Sequence, residues 1–422
     1  MFWSLLAFLA VTAGHAELWI TLVNRVYGLP IPIRTLHRIR ATHDVAIFAF
    51  PCLVYWRIGL SGPSAFFSGQ WGQLSPPWIV VFLACSAGLA GLIYSIGAWW
   101  IRTRRCMTAG TRVALIALPR GSAKQEDTGS AETAGGRTEL VSAATKRLTR
   151  FPLNQQFELE TTEKQLAPAN WPAELDGLSI LHLSDWHLCS TFSRQFYETA
   201  AAAASRVRAD MICFSGDLSD DIDCLDWLPT TLGSLSAPLG NWFILGNHDA
   251  LIDHAHIRSR MVAIGWNDLG GKTAKLDVGP ATVVVGGDEV PWLNAVPRWS
   301  ADDRALPRLL LAHSPDRFPH HSGEGVDLIL AGHTHGGQII LPVVGPVYAP
   351  SRYGCRFPSG VYVQGSTVMH VSRGLAGMHP IRFGARPEIT RLVIRSPKCL
   401  AEHSRDELRT SDREQTQPAR RD

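Results

Sequence analysis

The sequence contains no CxxC pair; its eight cysteines are scattered through 422 residues. That excludes a zinc ribbon, a thioredoxin-like motif and a disulfide scaffold, and it suits a reducing compartment. Net charge is only +3, and no stretch concentrates basic and aromatic residues together. No nucleic-acid partner is therefore expected. Charge is missing altogether from Trp78–Ile101 (WIVVFLACSAGLAGLIYSIGAWWI). As a helix, that run is long enough to cross a hydrocarbon core of about 30 Å. Lys and Arg are also missing from 61–77. The C-terminal 398–422 is charged and nearly free of large apolar side chains, which reads as a disordered tail.

Apolar residues are plentiful, at 46% of the chain, enough for one large domain and an appendage. The appendage is N-terminal. Residues 1–105 read as a membrane region with three candidate spans: 2–23, 45–60 and 78–101. The first carries His15 and Glu17, and a carboxylate near a helix centre costs roughly 2.5–3.5 kcal/mol on insertion. It also reads as a signal peptide, because Gly14-His15-Ala16 resembles a small-residue cleavage site, although a basic leading region is absent. The second is short and holds Pro51 and Arg57. Three spans are preferred. Arg25, Arg34, Arg38 and Arg40 lie between the first two, and Arg102, Arg104 and Arg105 follow the third. The positive-inside rule then puts 24–43 and everything after 101 in the cytoplasm of a multi-pass protein of the cell (inner) membrane.

Residues 106–149 are mostly small and polar and read as a flexible linker. The globular domain is expected over 150–397. Five short apolar runs there look like buried strands: LSILHL (178–183), MICFS (211–215), WFIL (242–245), RLLLA (308–312) and DLILA (327–331). FYETAAAAASRVRAD (196–210) reads as a helix. TAKLDVGPATVVVGG (273–287), and STVMHVSRG with EITRLVI, read as hairpins or edge strands. The expected class is α/β with a mixed sheet or two packed sheets.

Each of the five runs is followed at once by residue types that bind metals. They are Asp185 and His187; Asp217 and Asp220; Asn247, His248 and Asp249; His313; and His333 and His335. Ligand sites in α/β sheets lie beyond the carboxyl ends of strands, so five loops would deliver carboxylates, an amide and imidazoles to one rim. One such motif alone is a turn with a solvated Asp; five in succession point to a metal centre. If the backbone stays extended, Asp185 and His187 project to one side, and so do His333 and His335.

The series DxH, GDxxD, GNHD, His, GHTHGGQ resembles the calcineurin-like metallophosphoesterases over roughly 175–396. VSRGLAGMHPIRFGARPEIT, with GHTHGGQIILP before it, is similar to a bacterial branch of membrane-attached phosphodiesterases and enzymes that cleave UDP-2,3-diacylglucosamine. The resemblance implies two packed mixed β-sheets flanked by helices, an αββα sandwich. It implies two divalent ions, with Asp185, His187, Asp217 and His335 on one and Asp217, Asn247, His313 and His333 on the other, Asp217 bridging. His248 would face the leaving group or the phosphoryl oxygens, and Asp249 would orient it. Asp220 reads as a brace of its loop or as a plain helix cap. Two divalent ions bring four positive charges and Asp185 and Asp217 remove two, leaving a field suited to a phosphate ester hydrolysed by metal-activated water. Mixed N/O donors suit Mn, Fe or Zn better than Ca.

Other residues take plainer readings. Arg373, Arg382 and Arg386 read as surface or ion-paired, Cys189 as a buried thiol, His182 as a packed histidine, and Trp292 and Trp299 as packing rather than an acyl-chain rim. The function expected is a membrane-anchored phosphohydrolase acting on a phosphodiester or pyrophosphate, with a lipid-linked substrate in view of the anchor. The alternatives are a phosphomonoesterase or protein phosphatase, and a non-catalytic sensor, against which stands the intact donor set.

Overall fold

The structure is a computed structural model, and it describes residues 1–105, 111–120, 147–377 and 379–401. The chain forms two compact units. One comprises Met1–Met107 and Gly336–Pro358, the other Thr108–His335 and Ser359–Asp422.

The first unit is helical: α1 (Phe2–Tyr27), α2 (Ile33–Ile58), α3 (Ser61–Phe67) and α4 (Pro76–Arg105). Phe2–Tyr27 and Pro76–Arg102 are long and apolar enough to cross a membrane. Arg34–Ile58 with Ser61–Phe67 makes a third candidate only if the pair, bent by 89°, counts as one broken span. Small residues let α1 and α4 pack closely: a Cβ on Gly14 would collide with the Cys85 carbonyl, and one on Gly88 with the Gly14 carbonyl. Gly336–Pro358 belongs to this unit through polar contacts. Asn24 Nδ2 donates to the Val347 carbonyl (3.0 Å) and its Oδ1 accepts from the Ala349 N–H (3.1 Å). Trp100 Nε1 donates to the Val343 carbonyl (2.8 Å), and the Tyr348 hydroxyl meets His43 Nε2 (3.2 Å). A short hairpin within the segment pairs β11 (Ile340–Leu341) with β12 (Gly345–Pro346).

The second unit has two mixed sheets. In the first, the order is β1 (Thr111–Ala117), β2 (Glu158–Leu166), β15 (Glu388–Ile394), β3 (Ser179–Leu183), β4 (Met211–Ser215), β5 (Asn241–Ile244) and β6 (Asn267–Asp268). In the second it is β13 (Gly360–Gln364), β14 (Thr367–Val371), β10 (Leu328–Ala331), β9 (Arg308–Ala312), β8 (Ala281–Asp288) and β7 (Thr273–Val278). Alternating side chains bury both faces of the central strands. Ile180, Met211 and Cys213 meet Leu309, Leu311, Leu328 and Leu330 between the sheets. Leu181, Leu183, Ile212 and Phe214 pack outward beneath α5 (Arg194–Ser205), which presents Phe196, Tyr197, Ala200 and Ala204. Ser193 caps α5 by accepting from the Phe196 N–H (3.2 Å). Truncating a core residue such as Leu309 to Ala costs about 2–5 kcal/mol.

Two expectations change. Thr111–Ala117, inside the supposed linker 106–149, is a strand, because its TRVALIA sequence pairs antiparallel with β2; residues 106–110 and 121–146 lie outside the described residues. STVMHV forms a hairpin with the strand before it, as expected, but EITRLVI is neither a hairpin nor an edge strand. β15 runs between β2 and β3, and β14 between β13 and β10, because β2 and β13 extend the sheets beyond them. Of the supposed tail, 402–422 lies outside the described residues.

Candidate metal centre

Five strands, β3, β4, β5, β9 and β10, end at one place. Ligand atoms of Asp185, His187 and His335 lie within 4.8 Å of one another, as do those of Asp217, His313 and His333, and those of His187, Asp217 and His248. Asp217 connects the groups: its Oδ2 lies 3.6 Å from His187 Nε2 and 3.3 Å from His313 Nε2. Asp185 Oδ1 lies 3.9 Å from His187 Nε2 and 3.8 Å from His335 Nε2. Asn247 Oδ1 is 3.0 Å from His313 Nε2. His333 and His335 thus fall into different groups although only Thr334 separates them.

Extended strands do not produce this. Asp185, His187, Asp217, His333 and His335 all adopt the left-handed backbone, with φ of 52°, 47°, 56°, 71° and 50°. That conformation is costly outside glycine and concentrates at functional sites. The projection expected from strand alternation is therefore replaced by turns, which begin as soon as the sheet pairing ends. Gly332 permits the closest approach, since a Cβ there would collide with Ser184 Oγ and the Asp185 carboxylate.

The donor set fits metal ions. His187 Nε2, Asp217 Oδ2, His333 Nε2 and His335 Nδ1 are buried and have no hydrogen-bond partner. Orphaned buried polar atoms are expensive, and cations would satisfy His187 Nε2, Asp217 Oδ2 and His333 Nε2; His335 instead turns Nε2 toward Asp185. The gaps of 3.6–3.9 Å are too long for hydrogen bonds, and the 3.3 Å between Asp217 Oδ2 and His313 Nε2 stands at the long end of their range. They match two ligands held roughly 2.1 Å from one ion, which sit roughly 3.4 Å apart at a tetrahedral angle.

Charge is arranged to suit. Burial takes the imidazoles of His333 and His335 well below their usual range, with His313 and His187 respectively adding to the effect. They are therefore neutral and able to ligate. Burial also acts on His313, but the Asp217 carboxylate outweighs it and pushes the imidazole up to about 9, so this ring must give up a proton before it can ligate. Burial opposes ionisation of Asp217, yet His313 and His248 hold it well below the carboxylate range.

Asp220 is the residue that sequence reasoning undervalued. Its Oδ1 accepts from His187 Nδ1 (2.9 Å) and lies 2.7 Å from His248 Nδ1. It fixes both rings and leaves their Nε2 atoms free. Against burial, Asp217 and Asp220 together push His248 up to about 10. Asp249 was expected to orient His248 and does not. Its carboxylate accepts from the N–H groups of Leu218, Ser219 and Gly246, because the turn after β5 buries it beneath the loops. The GDxxD spacing already held the better candidate, one turn beyond Asp217.

The remaining residues fall outside the cluster. Arg373 pairs with Glu388 and Glu160, and Arg386 with Glu158. Arg382 is fully buried and donates to carbonyls, among them those of Arg373 (2.6 Å) and Ala376 (2.7 Å). Cys189 is buried beside Tyr197. Trp299 packs in the core, but the Trp292 ring lies 4.9 Å from that of His333 and 5.7 Å from that of His313.

A two-sheet sandwich with this Asp/His cluster at its strand ends defines a metal-dependent phosphoesterase. The sequence profile of the calcineurin-like phosphoesterases matches residues 178–337. An uncharacterized metallophosphoesterase, YkuE of Bacillus subtilis, is 35% identical over 250 residues, covering 56% of this chain and 86% of its own. The phosphodiesterase YaeI of Escherichia coli is 30% identical over 231 residues, 51% of this chain and 81% of its own. The UDP-2,3-diacylglucosamine pyrophosphatase LpxG of Chlamydia trachomatis is 25% identical over 308 residues, 58% of this chain and 92% of its own. The chain belongs to the calcineurin-like phosphoesterase family.

Proposed function

We propose that the chain is a membrane-anchored phosphohydrolase that holds two divalent ions and cleaves a phosphodiester or pyrophosphate in a lipid-linked substrate. The observation that carries this reading is the set of three orphaned, buried ligand atoms, His187 Nε2, Asp217 Oδ2 and His333 Nε2, gathered with Asp185 and His335. Asp185, His187, Asp217 and His335 would hold one ion; Asp217, Asn247, His313 and His333 would hold the other. Mn, Fe or Zn suits these mixed donors. When bound, the ions would supply an acidified water and positive charge for the phosphoryl oxygens.

The chain's own groups do the rest. Asp220 holds the Nδ1 proton of His187, so that ring offers Nε2 alone. It also holds His248, whose raised pKa keeps a proton at Nε2 across the neutral range. A proton there can bond a phosphoryl oxygen or pass to the departing alkoxide. Asp249 fixes the backbone of 218–219 and 246, on which Asp217 and Asn247 ride.

The lipid-linked substrate rests on the apolar helices and on similarity to LpxG, whose own name specifies a diacylated sugar nucleotide. A cytoplasmic placement of the second unit rests on the arginines between the helices. A reporter fused after residue 110 that reads as extracytoplasmic would reverse it. For the activity, full-length protein in detergent with added Mn²⁺ should hydrolyse bis-p-nitrophenyl phosphate and a diacylated pyrophosphate. Cleavage of neither, by protein shown to carry metal, would overturn the proposal and leave a sensor.

A further inference from the structure

A buried run of hydrogen bonds crosses the sandwich and ends on Asp185. Lys164 Nζ, on β2, lies 2.9 Å from His370 Nε2, on β14. His370 Nδ1 lies 2.8 Å from His182 Nδ1, on β3. His182 Nε2 meets Ser215 Oγ at 2.9 Å, Ser215 Oγ meets Ser184 Oγ at 2.8 Å, and Ser184 donates to Asp185 Oδ2 at 2.5 Å. His370, His182, Ser215, Ser184 and Asp185 are all fully or almost fully buried.

The two ends dictate the direction of every bond. A carboxylate only accepts, so the Ser184 hydroxyl donates to Asp185 and must itself accept from Ser215. The Ser215 hydroxyl is then spent, and it accepts from His182 Nε2–H. A neutral His182 consequently accepts at Nδ1, and the proton in that contact sits on His370 Nδ1. His370 Nε2 is left as an acceptor. From the other end, an ammonium only donates, and Lys164, paired with Glu388 at 3.3 Å, requires His370 Nε2 to accept. Both ends demand the same two tautomers. Burial supports them by depressing both rings, His182 to about 3.

The run meets the candidate ligands at Asp185. Its effect falls on Asp185, whose Oδ2 takes the Ser184 hydroxyl while both oxygens accept the His333 N–H at 3.0 and 3.1 Å. Oδ1 remains for the group formed with His187 and His335. We propose that Lys164, His370, His182, Ser215 and Ser184 are positioning residues that aim one oxygen of Asp185 at its metal ion, through a one-way series of donors starting from the Lys164 ammonium. This rests on the reading of Asp185 as a ligand.

The test uses full-length protein in detergent, stripped and titrated with Mn²⁺, and compares wild type with Ser215→Ala and Lys164→Met. Ser215→Ala removes one hydroxyl in mid-run at nearly constant volume. It should weaken one of the two sites by roughly 10–100-fold, the usual effect of losing a ligand's supporting bond, and leave the other within a factor of about 2. Lys164→Met changes the opposite end of the run from Asp185. It should leave His370 Nε2 without its donor while the Asp185 end still holds the proton at Nδ1, so that ¹⁵N-histidine spectra of metal-free protein show the Nδ1–H tautomer in both proteins and a shifted His370 Nε2 resonance in the variant alone. Unchanged affinity at both sites, an equal fall at both, or a wild-type His370 protonated at Nε2 would each overturn the inference. A wild type that binds no Mn²⁺ would instead overturn the metal reading beneath it.

Discussion

Replacing Asp220 with Asn is the most informative single change. The carboxylate touches two imidazoles through one oxygen, at 2.9 and 2.7 Å. An amide oxygen can accept from the same two N–H groups, so the substitution removes charge while sparing shape. A hydrogen bond to a charged group contributes about 1 kcal/mol more than a neutral one. Two such bonds amount to about 2 kcal/mol, or roughly 30-fold in rate at 1.4 kcal/mol per factor of ten. The pH dependence should move as well. His248 is raised to about 10 by Asp217 and by Asp220 against the pull of burial. A raised histidine is protonated below its folded pKa and loses the proton as pH rises through it. Wild-type activity that needs this proton therefore falls only near pH 10, and the alkaline limb of Asp220→Asn should lie at lower pH. Initial rates on bis-p-nitrophenyl phosphate from pH 6 to 10, at saturating Mn²⁺, read both effects. A variant with the wild-type rate and limb would refute the role given to Asp220. A lower rate with an unmoved limb would refute the part given to His248.

Asp217→Asn should lower the Mn²⁺ stoichiometry from two and abolish turnover, because Asp217 Oδ2 is shared between the His187 and His313 groups; metal analysis beside the assay checks it. Asp249→Ala should act on stability instead, since three buried N–H groups lose their acceptor at about 1 kcal/mol or more each. Its melting temperature should fall well below that of Asp220→Asn. Gly332→Ala should lose metal binding while keeping helical and sheet content by circular dichroism, since its methyl group displaces Ser184 and Asp185.

The legible parts of the fold were those with a uniform environment. β3, β4, β5, β9 and β10 are buried on both faces and show as unbroken apolar runs. β2 also lies between two strands but reads ELETTEKQL, because part of it stays accessible and its Glu160 and Lys164 pair with Arg373 and Glu388, more than two hundred residues on in sequence. Such pairing leaves no local trace, so EITRLVI reads from the sequence as a hairpin or edge strand. The donor residues were visible because each directly follows a strand. Their left-handed backbone was not, since Asp and His carry no marker for it as glycine does. Asp249 adjoins His248 in sequence, and adjacency suggested a partnership. The fold instead brings Asp220 to that ring and turns Asp249 under the loops.

The helical unit is discontinuous: its helices lie within the first 107 residues, while Gly336–Pro358 is synthesised after the strands that carry every candidate ligand. Asn24, His43 and Trp100 wait for partners at 343–349 that leave the ribosome much later. The helices are made early, but their unit cannot be completed during their own translation. A chain shortened to begin beyond the helices would present 343–349 with those partners gone. The helical unit is thus completed only by a segment that follows the candidate ligands in the sequence.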